Sequence, residues 1–214
     1  MLVTAGGALG ADSCGGLANA YGPFNYRTDR EALAIVERNH FSPEVESLQK
    51  GQSSWLGGDI DYVLRASPNH ARALTAMMRL AEKEKRDPPQ GANYRVACYF
   101  ERALRFDPKD PVVRIVHASF LHSKDRHADA LREMQAAGRL GAKGPDFDYA
   151  MGLSHLDAGD AEQALVYAHR AYRAGVTMQM LKIRLVRAGK WREPEPTPPA
   201  KNPRPSPTKP QGRS

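Results

Sequence analysis

Three small residues recur at one fixed offset in the second half of the chain. Ala118, Ala130 and Ala137 are followed 34 residues later by Gly152, Ala164 and Ala171. Both segments lie within Pro111 to Ala174. Each carries apolar residues at helical spacing on either side of a polar break. Self-similarity at such a period marks stacked units, each of which buries its apolar face against the next. The chain therefore reads as helical hairpins in series. Small residues suit the crossing points, because paired helices approach to about 8–10 Å.

The period extends backwards with one expansion. Pro68 and Pro108 are 40 residues apart, as are Met78 and Ala118. The loop KRDPPQGAN, residues 85–93, supplies the extra length. From Val96 the spacing is 34 again, Val96 to Ala130 and Ala103 to Ala137. Helix pairs are expected at about 71–108, 111–142 and 145–176, preceded by a single helix at 55–67. Glu31 to His40 reads as a further helix, and Ser42-Pro43-Glu44 opens another, with Pro at a first helical position and a carboxylate against the helix dipole. Gln179 to Lys190 reads as a last helix, with Met180, Leu181, Ile183, Leu185 and Val186 apolar and Lys182, Arg184, Arg187 and Lys190 turned outward. Trp191 is expected to seal its end. Asp157-Ala158-Gly159-Asp160 forms the turn of the last pair, where Gly159 takes the positive φ of a helix end. Ser123-Lys124-Asp125-Arg126 takes that place in the middle pair without a glycine.

These residues resemble the tetratricopeptide repeat (TPR). The match is fullest in YAMGLSHLDAGDAEQALVYAHRAYRAG, residues 149–175, with Gly152, Gly159-Asp160, Ala164 and Ala171 at the family's positions. FERALRFDPKD, residues 100–110, matches a repeat end through Ala103 and Pro108. HASFLHSKDRHADALREMQAAGRLG, residues 117–141, matches through Ala118, Ala130 and Ala137. Ala142 and Val176 stand where the pattern has Pro. The arm YGPFNYR together with GGDIDYVLRASPNH also resembles a bacterial group of secreted TPR-type proteins. The resemblance implies an all-α fold: a short right-handed solenoid of about three TPR-like hairpins, with an N-terminal helical arm and a C-terminal capping helix. The expected organisation is a residual signal peptide or flexible end at 1–13, the arm and its helices at 14–54, the repeat domain at 55–191, and a disordered Pro-rich basic tail at 192–214. That tail carries eight prolines and almost nothing apolar, so it cannot bury a core.

Residues 1–13, MLVTAGGALGADS, resemble the end of a secretory leader without its basic start. Export to the periplasm or beyond is the expected location, with the cytoplasm as the alternative. The chain has two cysteines, Cys14 and Cys98. A disulfide between them would pin the arm across the array. The other readings are a buried small hydrophobe at Cys98 and a lipid-attachment site at Cys14. Tyr21, Phe24 and Tyr26 are expected to anchor the arm, with an aromatic ligand clamp as the alternative.

The net charge is +7, of which part lies in the tail. That excess is mild, and no dense basic stripe with interleaved aromatics is present, so nucleic acid is not the expected partner. No segment approaches the roughly 18–20 apolar residues of a membrane span. No CxxC, HExxH, GxSxG or phosphate-binding glycine loop occurs. His117, His122 and His127 recur every five residues, a spacing that spreads side chains around a helix. No catalytic residue, metal or cofactor is therefore assigned.

In the resembled family the first helices of successive hairpins line a concave groove. Here that face would present Arg72, Thr75, Arg79 and Lys83, then Ile115, Ser119 and His122, then Tyr149, Leu153 and Leu156. The groove would be basic at one end and apolar at the other, which suits an extended peptide with acidic and hydrophobic groups. The expected function is a non-enzymatic scaffold that binds a protein or peptide. The alternatives are a structural accessory subunit of an envelope or transport assembly and, more remotely, a His-dependent metal binder or enzyme.

Overall fold

The computed structural model describes residues 14–194. The expectations for 1–13 and for the proline-rich stretch from residue 195 onward lie outside the described residues. Within them the chain is all-helical, with ten helices and no strand.

The amino-terminal helices are α1 (Arg30–His40), α2 (Pro43–Glu46), α3 (Leu56–Ala66) and α4 (Ala71–Glu84). Next come α5 (Val96–Phe106), α6 (Pro111–His122) and α7 (His127–Arg139). The chain continues through α8 (Pro145–Asp157), α9 (Ala161–Arg173) and α10 (Met180–Arg187). Their starts are set by local chemistry. Asp110 accepts from the Val112 and Val113 amides ahead of Pro111, and Asp160 accepts from the Gln163 amide. Each thereby satisfies amides that the first turn of a helix leaves open.

The 34-residue offset is visible in the element bounds. Shifted by 34, the start of α6 falls on the start of α8, and α7 falls on α9 at both ends. Asp125, at φ 55°, matches Gly159, at φ 87°. Both close a helix through the left-handed region, at a modest cost for Asp and none for Gly. Ala118, Ala130, Ala137, Gly152, Ala164 and Ala171 are all buried.

The pairing of the first helices differs from expectation. Helix α3 does not stand alone. It packs on α4 across the tight Ser67–His70 connector, more fully than α4 packs on α5. A four-residue connector makes its two helices antiparallel neighbours, whereas the long loop between α4 and α5 sets no such constraint. The 40-residue spacing is thus itself a repeat: shifted by 40, α3 falls on α5 at both ends, and the start of α4 falls on the start of α6.

The arm is part of the core and not an appendage. Val36, Phe41, Val45 and Leu48 share one buried cluster with Ile60, Leu74, Met77 and Phe100. A second cluster joins α6, α7 and α8 through Ala118, Leu121, Ala130, Met134 and Met151. A third joins α8, α9 and α10 through Tyr149, Leu165, Leu181 and Leu185. The clusters follow one another along the chain.

Covalent, polar and ring contacts fix residues 14–29 to this body. Cys14 Sγ is bonded to Cys98 Sγ of α5, with the Cα atoms 5.1 Å apart. The Arg102 guanidinium is buried under the arm, where Nη1 donates to the Cys14 and Gly16 carbonyls at 3.0 and 2.6 Å. The Tyr94 ring lies 4.7 Å from its carbon. Further on, Asn25 bridges the two Pro-containing connectors. Its Nδ2 donates to Asp107 and its Oδ1 accepts from Asn69, both at 3.1 Å. Tyr26 packs on the His70 ring at 4.0 Å, so it is committed to the body of the protein.

Candidate functional site

The residues expected to line a groove lie on α4, α6 and α8. On α4, Arg72, Thr75, Arg79 and Lys83 form one stripe by spacing. Residues 41–50 lie along it. Arg72 forms a fork with the Glu46 carboxylate, and Glu37 stands 4.0 Å away. Hydrogen bonding to Glu46 raises the Arg72 pKa and lowers that of Glu46. The Lys83 ammonium donates to the Leu48 carbonyl at 2.6 Å. The Thr75 hydroxyl bonds back to the Ala71 carbonyl, while Arg79 is exposed. The stripe exists, but Glu37 and Glu46 counter much of its charge.

The far end is filled from within the chain. Tyr149 is buried, and its hydroxyl accepts from the Leu181 amide of α10. Leu153 and Leu156 pack against the cluster that contains Leu181 and Leu185. A Cβ on Gly152 would lie 2.5 Å from Leu181 Cδ2, so the glycine permits this close approach. The Arg184 guanidinium holds Asp157. The apolar residues Tyr149, Leu153 and Leu156 therefore serve as the seat of the chain's own last helix. Sequence spacing places them on one face; it carries no signal of what covers that face.

Between the covered ends lies α6. Val112, Ile115, Ser119 and His122 follow one stripe at spacings of three and four. Val112 and Ser119 are exposed, and Ile115 is half-buried against the middle cluster. His117 faces another way, stacked on Phe100 at 4.9 Å with Glu133 3.6 Å away.

His122 ends the stripe among groups that the sequence did not bring together. The five-residue spacing assumes a continuous helix, but α6 ends at His122 and α7 begins at His127. The intervening turn folds the two rings together, with Nδ1 to Nδ1 at 3.1 Å. Asp157 Oδ2, at the end of α8, is 3.5 Å from His122 Nδ1. The Ser154 hydroxyl lies 3.2 Å from His122 Nε2. Burial lowers the His122 pKa; the Asp157 charge opposes this, and His127 and Arg184 add to it, leaving a net reduction. A second grouping, Cys14, Cys98 and Glu101, has its two thiols consumed by the disulfide.

Shallow hollows lie off this face, two of them in the carboxyl-terminal half. One of about 380 Å³ is lined by Arg139, Lys143, Phe147, Tyr167 and Arg170 between α7, α8 and α9. Another, of about 370 Å³, lies beside Trp191, Tyr172 and His169. Trp191 packs against α9 and sits under the Lys182 ammonium. Among the described residues no helix is long and apolar enough to cross a membrane.

Compared with protein-family models, curated proteins and solved structures, the chain matches none.

Proposed function

We propose that the protein is a TPR-like hairpin solenoid that acts as a non-enzymatic binding scaffold and captures a short peptide segment along α4 and α6. The observation that carries this reading is the exposed stripe of α6 between two self-covered stretches, together with Arg79, the part of the α4 stripe that residues 41–50 leave exposed. Helices α4 and α6 are neighbours, and Arg79, Val112 and Ser119 stand exposed on them. Serial cores of hairpins support the solenoid reading, since repeat arrays bury each unit against its neighbours alone. The partner that fits is an extended peptide with a carboxylate for Arg79 and an apolar side chain for Val112 and Ile115. Nucleic acid is not part of this reading.

Export to an oxidising compartment belongs to the same proposal, because a disulfide persists where thiols are not kept reduced. The accessory-subunit alternative has the arm and the Pro-rich tail engage an assembly. The bonds from Cys14, Arg102 and Asn25 hold the arm against the body and weigh against the arm's part in it.

Selection from a display library of short random peptides tests the groove. The wild type should enrich acidic, apolar peptides, and Arg79→Glu and Ser119→Arg should each lose them. An absence of enrichment, or peptides that bind both variants as well as the wild type, would sink the reading.

A further inference from the structure

We propose that His122, His127 and Asp157 form a divalent metal site, of the zinc class, that clips the α6–α7 turn to the end of α8. The site shares His122 with the end of the α6 stripe, but the inference does not depend on a peptide binding there.

The argument begins with where lone pairs point. His122 Nε2 faces the Ser154 hydroxyl at 3.2 Å. A neutral His122 that places its proton there presents a bare Nδ1 on the other side. On the other ring, His127 Nε2 faces the exposed Asp125 carboxylate at 3.8 Å. With its proton on that side, His127 too presents a bare Nδ1. The two Nδ1 atoms are 3.1 Å apart, and Asp157 Oδ2 is 3.5 Å from the first. All three donor atoms lie within 4.8 Å of one another. Three converging electron pairs repel unless a cation sits between them.

The spacing fits a metal and not only a proton. Bonds of about 2.0–2.1 Å in a tetrahedron place neighbouring ligand atoms about 3.3 Å apart. The two measured separations bracket that value. Two imidazoles and one carboxylate suit zinc among the divalent ions, and three protein ligands leave a fourth position for water. The site also lies where α6 and α8 end and α7 begins, so two carboxyl ends face one amino end. Helix carboxyl ends carry partial negative charge and favour a cation. Arg184 holds the other oxygen of Asp157, fixing the carboxylate as outer-shell partners do. It also offsets the carboxylate charge, so binding should be reversible and not permanent.

Zinc titrated alone into tag-free full-length protein decides the matter. Calorimetry should show one saturable equivalent at neutral pH, and zinc should raise the Tm. His127→Ala and Asp157→Asn should each weaken binding by about tenfold or more. His127 is the more exposed of the two histidines, so its variant should fold; should Asp157→Asn unfold, His127→Ala still decides. In nitrogen-15 spectra, zinc should shift the Nδ1 signals of His122 and His127 alone among the seven histidines. An absence of saturable one-to-one binding would overturn the proposal. So would wild-type affinity in the folded variants, or shifts confined to other histidines.

Discussion

His70 holds the start of α4 only while it stays neutral. Its Nδ1 accepts from the Ala73 amide at 3.1 Å, so its one proton lies on Nε2, 2.9 Å from Glu37. Tyr26 and Phe41 enclose the ring, and the Arg72 charge also disfavours a second proton. A second proton would have to take the place of the cap. Burial lowers the pKa, the bond to Glu37 and its charge raise it, and the net is a reduction from 6.5. The sign follows. Above pH 6.5 folded and unfolded chains are both neutral here, and the contribution is complete. Below it the unfolded chain takes the proton first, so stability falls as pH drops. We predict that His70→Ala costs about 1–2 kcal/mol at pH 7.5. It should also flatten the loss of stability between pH 6.5 and 5. His122 shifts the same way and keeps part of that slope. Urea unfolding at several pH values reads both effects, and equal slopes in variant and wild type would refute the assignment. None of this was legible in the sequence: His70 reads there as a turn residue after a proline. Arg102 was equally hidden. It sits in a helix like any surface arginine, and only the arm folding over it makes it buried.

Among the elements, α10 decides what α8 leaves exposed, because it covers Tyr149, Leu153 and Leu156. A methyl group on Gly152 would meet Leu181 Cδ2 at 2.5 Å and the Ala164 carbonyl at 3.3 Å. Gly152→Ala should therefore cost about 1–3 kcal/mol through overpacking. Shortening the opposing side chain in Gly152→Ala/Leu181→Val should make the double variant more stable than the sum of the two losses. Strict additivity in denaturant midpoints would show that α10 does not rest on Gly152. Most helix bounds were legible, because caps, prolines and apolar spacing act locally. The pairing of α3 with α4 was not, since the 40-residue spacing reads equally as a lengthened unit or as a repeat of its own. The cover over the face was not legible either. Nothing near Arg72 or Tyr149 in sequence records that residues 41–50 or α10 will lie on them. His122 and His127 were misplaced for a related reason: their spacing was read along a helix that the turn interrupts.

At the scale of the whole molecule the Cys14–Cys98 bridge sets an asymmetry. It closes a loop over 84 residues of separation and ties the arm to α5. By chain entropy a loop of that size is worth about 4.5 kcal/mol, an upper figure where the reduced chain keeps structure. Reduction should lower the Tm by about 10 °C in a protein of this size. Calorimetric scans with and without a reductant check this, and an unchanged midpoint would show that packing of the arm alone suffices. The same bond has a consequence in time. A ribosome makes residue 14 long before residue 98. At about 5–20 residues per second the wait is roughly 4–17 s. Throughout it the arm has no thiol to meet, and Arg102, the donor to its carbonyls, does not yet exist. The amino-terminal half must therefore be completed late and backwards, by a segment returning to an element made after it. Helices α7 to α10 face a shorter delay, since each packs on elements made no more than two helices before or after it.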